Sequence, residues 1–190
     1  MASRGHPSAR RVHPMSPAVL TFTVDRLPSP LGRILLVSDS EQRLRALNWE
    51  DHEDRLERDL RRIYGRRSVQ LEPGAAPPAI RRALERYFGG KLQAIDEIAV
   101  ATGGTPFQSH VWRGLRRIPV GTTLSYGRMA QRLKCPLAVR AVGLANGSNP
   151  ISIVIPCHRL IGADGSLTGY GGGLERKRWL LEHEGVRFGE

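Results

Sequence analysis

The sequence of 190 residues predicts a mixed α/β protein of the α+β kind, with a small N-terminal α/β domain and a helical C-terminal domain. Three observations predict this class. Short apolar, β-branched runs separated by turn residues fill positions 18–50, which is typical of strands. Apolar residues at helical spacing dominate afterwards. Two short helical segments joined by a tight turn, the outline of a helix-turn-helix, lie in the C-terminal half.

The N-terminal domain is expected at residues 18–100. Its strands are predicted at 19–24, 33–37 and 44–49, with turns at 28–32 and 38–41. A helix follows at 51–64, with Leu56, Leu60 and Ile63 on one face. A linker at 73–78 then leads into a helix at 78–88. Because no residue from 18 to 104 has catalytic character in the sequence, this domain is interpreted as a scaffold.

The C-terminal domain is expected at residues 101–190 and opens with a capping box. Thr105 is the predicted N-cap, Pro106 takes the first helical position, and Gln108 reaches back to the N-cap. Further helices are predicted at 126–133, 135–146 and 174–184. Cys135, at the junction of the first two, is interpreted as an incidental turn residue.

The formal net charge of +11 is concentrated in the C-terminal half. Residues 1–17, interpreted as a disordered basic tail, carry +3, residues 18–104 carry +1, and residues 105–190 carry +7. A positive field of this kind suits a polyanion such as nucleic acid. Arginine outnumbers lysine 26 to 3, however, and a biased genome base composition produces the same excess. Charge alone leaves both explanations open.

The sequence also bears on the compartment. No apolar run approaches the roughly 18 residues of a membrane span. Residues 1–17 lack the apolar segment of a secretory signal. The two cysteines, Cys135 and Cys157, make a poor disulfide framework. These features predict a cytoplasmic protein with free thiols and no membrane partner.

The segment around Cys157 has the strongest chemical character. The apolar, β-branched run at 151–155 predicts a strand that delivers Cys157 at its end, followed directly by His158 and Arg159. An adjacent base or cation raises the thiolate fraction of a cysteine. Since neighbours on a strand point to opposite faces, the cysteine and histidine can cooperate only through a turn at Pro156 or a bridging water.

A histidine that acts as a base needs a third group to orient its ring. Glu184, at the end of the last predicted helix, is a plausible carboxylate for this purpose. Without such a partner a cysteine–histidine pair is a structural feature, and the pattern alone leaves both interpretations open.

Two further segments are unusual in composition. Small residues surround Arg140 on one face of the third helix, which indicates either tight helix packing or a helix that lies in a DNA groove with Arg140 as the probe. That face consists of Ala138, Arg140, Ala141, Gly143, Ala145 and Gly147. Six glycines between 162 and 173 indicate either a flexible surface loop or a loop that wraps a nucleobase against Tyr170. No phosphate-binding fingerprint fits this loop.

Assembled in order, these motifs resemble the O6-alkylguanine-DNA alkyltransferases, also called methylated-DNA–protein-cysteine methyltransferases. The resemblance covers about residues 19–186 and is densest from 104 to 185. The matching stretches are 104–108 (GTPFQ), 125–127 (SYG), 139–143 (VRAVG), 145–150 (ANGSNP), 155–159 (IPCHR), 169–172 (GYGG) and 179–181 (WLL).

The resemblance implies a ribonuclease H-like N-terminal domain, a winged helix-turn-helix C-terminal domain, and a set of catalytic roles. Cys157 would be the nucleophile that takes the alkyl group from guanine O6. His158 would deprotonate it through a bridging water, and Glu184 would orient His158. Asn149 would brace the turn that presents the cysteine.

The resemblance also implies how the damaged base is reached. Arg140 would enter the DNA from the minor groove and fill the space of the expelled base, while Tyr126 would help rotate the nucleotide out and donate a proton toward guanine N3. The remaining positions that it assigns are Ala138, Ala141 and Gly143 for close approach to DNA, and Ser152, Tyr170 and the backbone of Gly171 for the pocket. Because Gly171 lacks a side chain, no side-chain hydrogen bond reaches O6 from that position.

The implied activity is direct repair of double-stranded DNA that contains O6-alkylguanine, and also O4-alkylthymine, by a protein that acts once because its thioether product is stable in water. The resemblance implies a monomer with no cofactor and no metal, since the chain has no spare cysteines for the zinc site of some relatives. Two other classes share part of the pattern. A damage sensor or helix-turn-helix regulator has no need of a Cys-His-Glu set, and a cysteine hydrolase would turn over many times.

Overall fold

The computed structural model describes residues 19–65 and 69–187, so the basic tail predicted at 1–17 lies outside the described residues. The fold is the predicted mixed α/β type, with a sheet in the N-terminal domain and helices in the C-terminal one. The N-terminal elements are β1 (Leu20–Leu27), β2 (Ile34–Ser38), β3 (Leu44–Trp49), α1 (Glu53–Tyr64), β4 (Val69–Pro73) and α2 (Pro78–Phe88). The C-terminal elements are α3 (Pro106–Leu115), β5 (Leu124–Ser125), α4 (Tyr126–Arg132), α5 (Val139–Gly147), β6 (Leu160–Ile161) and α6 (Leu174–His183).

The four-stranded sheet has the order β3-β2-β1-β4, with β1–β2 and β2–β3 antiparallel and β1–β4 parallel. The three predicted strands and both predicted helices of this domain are confirmed. β4 was not predicted, and Pro73, assigned to a linker, is its last residue. β4 has a mostly half-exposed or exposed, partly charged sequence that ends in proline, which is typical of an edge strand and gives a weak sequence signal.

The central strand β2 is buried on both faces of the sheet. Leu35 and Val37 pack with Leu56 and Leu60 of α1 on one face. Ile34 and Leu36 belong to a larger core on the other face. That larger core contains residues of α2 and of every C-terminal helix, so the apolar interior is continuous across residue 100. The domain boundary at 100/101 stays a prediction.

Local hydrogen bonds and a proline determine where helices α3 and α5 begin. The capping box is confirmed: Gln108 N donates to Thr105 Oγ1 at 3.2 Å, and Thr105 N donates to Gln108 Oε1 at 2.9 Å. The prediction that the third helix starts at 135 is wrong, because α5 starts at Val139. Cys135 precedes a proline, which disfavours helical backbone there, and Ala138 N closes a turn onto Cys135 O at 2.9 Å.

Helices α4 and α5 pack on each other and are joined by the turn at 133–138, in the helix-turn-helix arrangement. The short strands β5 and β6 pair in parallel beside them, so the helix pair is attached to the segment that follows Cys157. None of the helices in the part of the chain described here is long and apolar enough to cross a bilayer.

Candidate active site around Cys157

The backbone before Cys157 is a compact turn, and the predicted strand at 151–155 is wrong. Only Ile151 makes a bridge, to Leu47 of β3. The chain then curls: Ile155 N donates to Ile151 O at 3.1 Å, and Ile153 adopts a φ of 69°, an unusual conformation for a β-branched residue. The run is apolar because all of it is buried, and a short buried run carries no periodicity that separates strand from turn.

Asn149 holds this turn in place. Its Nδ2 donates to Ile151 O at 3.2 Å and to Ile155 O at 2.8 Å, and its Oδ1 accepts from Ile151 N at 3.0 Å. The turn leads through Pro156 into a 3-10 turn over Cys157–Arg159, which places Cys157 and His158 on a sharply bent backbone. The turn at Pro156 that the sequence required for cooperation is therefore present.

His158 and Glu184 form a fully buried pair. His158 Nε2 lies 3.0 Å from Glu184 Oε1, and both side chains have no exposed surface. Burial by itself would raise the pKa of Glu184, but His158 and Arg159 outweigh it and hold that pKa well below its ordinary value. Glu184 is thus an ionised carboxylate at neutral pH, as an orienting group for an imidazole must be.

The pair fixes which imidazole nitrogen is basic. An ionised carboxylate only accepts hydrogen bonds, so Nε2 carries the proton that points to Glu184. Nδ1 is then the unprotonated nitrogen, and this buried atom has no hydrogen-bond partner among the described residues. Burial lowers the pKa of His158 despite the opposing effect of Glu184, so the ring is a neutral base at neutral pH.

Cys157 itself is 6% exposed. Burial raises the pKa of its thiol, while Asn149, Lys177 and Arg55 act in the opposite direction. The resting sulfur is accordingly a thiol that needs a base to become a nucleophile. Cys157 and Cys135 are both free.

Arg159 does not act on the sulfur as a neighbouring cation. Its Nε donates to Glu184 Oε2 at 2.7 Å and its Nη2 to Glu184 Oε1 at 2.8 Å, while Nη1 donates to Ile118 O. This buried guanidinium balances the charge of Glu184, which a lone buried carboxylate requires.

The sequence did not predict three further residues of the site: Tyr87, Lys177 and Arg55. Tyr87 of α2 donates its hydroxyl proton to Glu184 Oε1 at 2.9 Å and is fully buried. Lys177 of α6 donates to Leu160 O and, at 2.8 Å, to Thr168 O, which ties the glycine-rich loop to β6. Burial lowers the pKa of Lys177 to about 8. Its spacing of three and four residues from the buried Leu180 and Leu181 was an available signal that it faces inward.

A small pocket opens beside Cys157. Its free volume of about 20 Å³ has room for about one water molecule. It brings the predicted pocket residues Ser152, Tyr170 and Gly171 together with Asn149 and Cys157. The lining residues are Asn48, Arg55, Asn146, Gly147, Asn149, Ser152, Cys157, Gly169, Tyr170 and Gly171.

Arg55 of α1, the third residue missed, lines this pocket and connects two of its walls. Its Nη2 donates to Gly147 O, at the end of α5, at 2.7 Å. Its guanidinium lies against Gly171, where an added Cβ would come within 2.7 Å of the guanidinium carbon. Asp59, one turn along α1, also forms an ion pair with this arginine, with Nε and Oδ2 3.6 Å apart.

The residues predicted to approach DNA lie together at the surface of the helix-turn-helix. Arg140 is exposed at the start of α5 and forms no ion pair within residues 19–65 and 69–187. Ala138, Ala141 and Gly143 are half-buried next to it. The ring of Tyr126 lies 3.9 Å from a Cβ built on Gly143, and Thr168 Oγ1 donates to its hydroxyl at 3.4 Å.

Among the described residues, no group of three or more His, Cys, Asp or Glu side chains is arranged to hold a metal ion. The fold and the site define a class: a sheet domain joined to a helix-turn-helix domain that buries a cysteine beside a histidine–glutamate pair.

Family models match nearly the whole described chain. Residues 25–102 match the ribonuclease-like domain of 6-O-methylguanine DNA methyltransferase, and residues 106–186 match the DNA-binding domain of the same family. The methylated-DNA–protein-cysteine methyltransferase of Salmonella typhimurium is 48% identical over 88% of this chain and 98% of its own length. The Haemophilus influenzae protein of the same name is 42% identical over 85% of each chain.

A solved structure has the same fold. Mycobacterium tuberculosis OGT in complex with DNA superposes with a TM-score of 0.69 and 39% identity, covering 87% of this chain and 92% of that one. This chain belongs to the methylated-DNA–protein-cysteine methyltransferase family.

Proposed function

We propose that this protein repairs DNA directly, by transferring the alkyl group of O6-alkylguanine in duplex DNA irreversibly to Cys157. The observation that carries the proposal is the buried Cys157 beside the His158–Glu184 pair, in a chain of this family. O4-alkylthymine presents an alkyl group on an equivalent exocyclic oxygen and is the second expected substrate. The protein is proposed to act as a cytoplasmic monomer without metal or cofactor.

The chemistry begins with activation of the thiol. Nδ1 of His158 accepts the thiol proton through a bridging water, and Glu184 stabilises the resulting imidazolium. The thiolate attacks the alkyl carbon, an S–C bond forms, and the C–O bond to guanine breaks. Tyr126 donates a proton toward guanine N3, so that the electron pair left on guanine is neutralised.

Each protein molecule reacts only once, because the product is a stable thioether on Cys157. The thioether on Cys157 has no leaving group that water displaces, and no residue in the described chain supplies a second thiol near it. Each molecule is therefore consumed by one transfer, which also separates it from a cysteine hydrolase.

Access requires the base to leave the duplex, at a cost of roughly a few kcal/mol. Arg140 stands exposed at the start of α5 among small residues that allow close approach. We propose that it enters from the minor groove and takes the place of the expelled base. A nucleobase does not fit a pocket of about 20 Å³, so base entry also requires Arg55 to leave Gly147 O.

The test is intact-protein mass spectrometry after incubation with duplex DNA that carries one O6-methylguanine, followed by peptide mapping. We expect a gain of one methylene on Cys157 that saturates at one per protein, and no gain in the Cys157→Ala variant. No mass change with DNA still bound would make the protein a damage sensor. Loss of the alkyl group from DNA over many cycles without modification of the protein would make it a hydrolase.

A further inference from the structure

We propose that Tyr87, in the N-terminal domain, is a positioning residue for alkyl transfer that acts by fixing one oxygen of Glu184 and, through it, the base His158. The inference rests on the proposed roles of Cys157 and His158. It contradicts the interpretation of the N-terminal domain as a scaffold without a part in the chemistry.

The geometry leaves the hydroxyl of Tyr87 one partner. Tyr87 is fully buried, and its hydroxyl donates only to Glu184 Oε1, at 2.9 Å, among the hydrogen bonds of the described residues. The same oxygen faces His158 Nε2 at 3.0 Å and Arg159 Nη2 at 2.8 Å. Three donors from three directions fix the rotation of the carboxylate, so the angle at which it meets the imidazole depends on all three.

The ring of Tyr87 is itself held firmly. Phe88 and His183 pack edge-on against it, with centroids at 5.3 and 5.2 Å. His183 Nε2 also lies 2.8 Å from the main-chain oxygen of Tyr87. Because His183 directly precedes Glu184, the end of α6 and the end of α2 are joined on both sides of the carboxylate. The position of the hydroxyl is therefore fixed by these contacts, and it cannot shift with Glu184 if the carboxylate rotates.

Tyr87 differs from Arg159 in its charge. Burial, followed by the nearby carboxylate, raises the pKa of Tyr87 far above its ordinary value, so it remains a neutral donor. A neutral donor draws electron density from Glu184 without placing a positive charge beside His158. Removal of this donor leaves a more basic carboxylate, which stabilises the imidazolium and raises the pKa of His158.

The test compares Tyr87→Phe with Tyr64→Phe. The control removes a hydroxyl from the same domain, where it lies 3.4 Å from Ala101 O and far from Glu184 in the hydrogen-bond network. The readout is the second-order rate of Cys157 alkylation by free O6-benzylguanine as a function of pH. We expect Tyr87→Phe to slow the reaction about three- to tenfold at neutral pH and to move the acid limb of the profile to higher pH. Tyr64→Phe should leave both unchanged.

A second readout does not need alkyl transfer. The imidazole of His158 is titrated by NMR in a Cys157→Ala background with and without Tyr87→Phe, and we expect its pKa to rise when the hydroxyl is removed. If the parent protein transfers no alkyl group but this titration moves, the proposed function fails while the contact stands. An unchanged pH profile together with an unchanged titration would overturn the role of Tyr87, whatever the thermal stability of the variant.

Discussion

Glu184 is the residue on which the site depends. Its two oxygens face a tyrosine from α2 and a neighbouring histidine and arginine from the turn that begins at Cys157. A buried carboxylate with such partners stabilises the fold only while all of them are present. The same residue thus serves the base that activates Cys157 and the packing of α2 against α6.

Replacement of Glu184 by Gln keeps the size of the side chain and removes the charge that stabilises the imidazolium. We expect alkylation of Cys157 by free O6-benzylguanine to slow by roughly 10- to 100-fold. Affinity for unmodified duplex DNA should stay near normal, because Glu184 is buried away from the exposed start of α5. Gel-shift titration measures the DNA affinity, and quenched time courses measure the rate of Cys157 alkylation.

The matched control is Glu182→Gln, which changes an exposed carboxylate in the last turn of α6, two residues before Glu184. It should behave as the parent protein in both assays. A large loss of DNA affinity in Glu184→Gln would contradict the assignment of Glu184 to the chemistry.

Single residues could be predicted from sequence when their partner was close in the chain or when a family motif carried them. Cys157, His158 and Asn149 lie in matching stretches of the family, and Glu184 was proposed because His158 needs a carboxylate partner. The structure places His158 against Glu184, and Asn149 at the turn before Cys157. Tyr87 could not be assigned, because its contact with Glu184 spans 97 residues. The partner of Arg159 was missed because its position close to Cys157 suggested an effect on the sulfur, whereas it binds Glu184. In sequence Tyr87 is one more apolar position on an amphipathic helix.

At the scale of elements, α5 is the one with an unusual surface. It exposes Arg140 at its start, and it ends at Gly147, whose carbonyl contacts Arg55 across the pocket. One end of the helix therefore faces the proposed DNA surface and the other end borders the alkyl pocket. A movement of α5 on binding DNA would therefore change the contact between Gly147 O and Arg55 at the pocket.

Arg140→Ala tests the proposed wedge. We expect repair of O6-methylguanine in duplex DNA to weaken more than the reaction with free O6-benzylguanine, because a wedge matters only when a base must leave the stack. Rates of alkylation of Cys157 with each substrate give the comparison. Arg33→Ala removes the same charge from an exposed site in the N-terminal domain and should not separate the two substrates. Equal losses on both substrates in Arg140→Ala would end the wedge hypothesis.

Elements with a strong periodic pattern or a defined cap could be predicted, as β1 to β3, α1, α2 and α3 show. The exceptions have physical causes. β4 lies at the sheet edge and buries little, so its sequence lacks a strand pattern. The segment 151–155 is held as a turn by the side chain of Asn149, and this tertiary constraint overrides its β-branched composition.

For the whole molecule, carboxylates that are half-buried or buried and bound to arginines or main-chain N–H groups set the response to acid. Burial by itself would raise the pKa of Asp25 and Asp39, but their backbone hydrogen bonds together with nearby arginines lower it, and the pKa of Glu184 lies well below its ordinary value. A group whose folded-state pKa is depressed contributes stability above its unfolded value and loses it as pH falls. Because the core is continuous, we expect this loss of stability to affect both domains together.

We therefore expect the melting temperature to be nearly constant from pH 7 to about pH 5 and to fall steeply below the ordinary glutamate value of 4.5. In Glu184→Gln the melting temperature should start lower and decline less between pH 5 and pH 3, since that group no longer titrates. Circular dichroism melts across this range measure both curves. Parallel curves for the two proteins would show that Glu184 is not ionised in the folded state.

The burial of Cys157 bears on how long an unreacted molecule can still accept an alkyl group. Cys157 is 6% exposed, and Arg55 lines the pocket beside it while binding Gly147 O. Peroxide oxidises accessible thiolates to sulfenic and then to irreversible sulfinic acids. Because each molecule reacts once, a molecule whose Cys157 has been oxidised can no longer repair a base. Because burial keeps Cys157 protonated, its oxidation is slow, and the dependence of the thiol on His158 also preserves molecules that have not yet reacted.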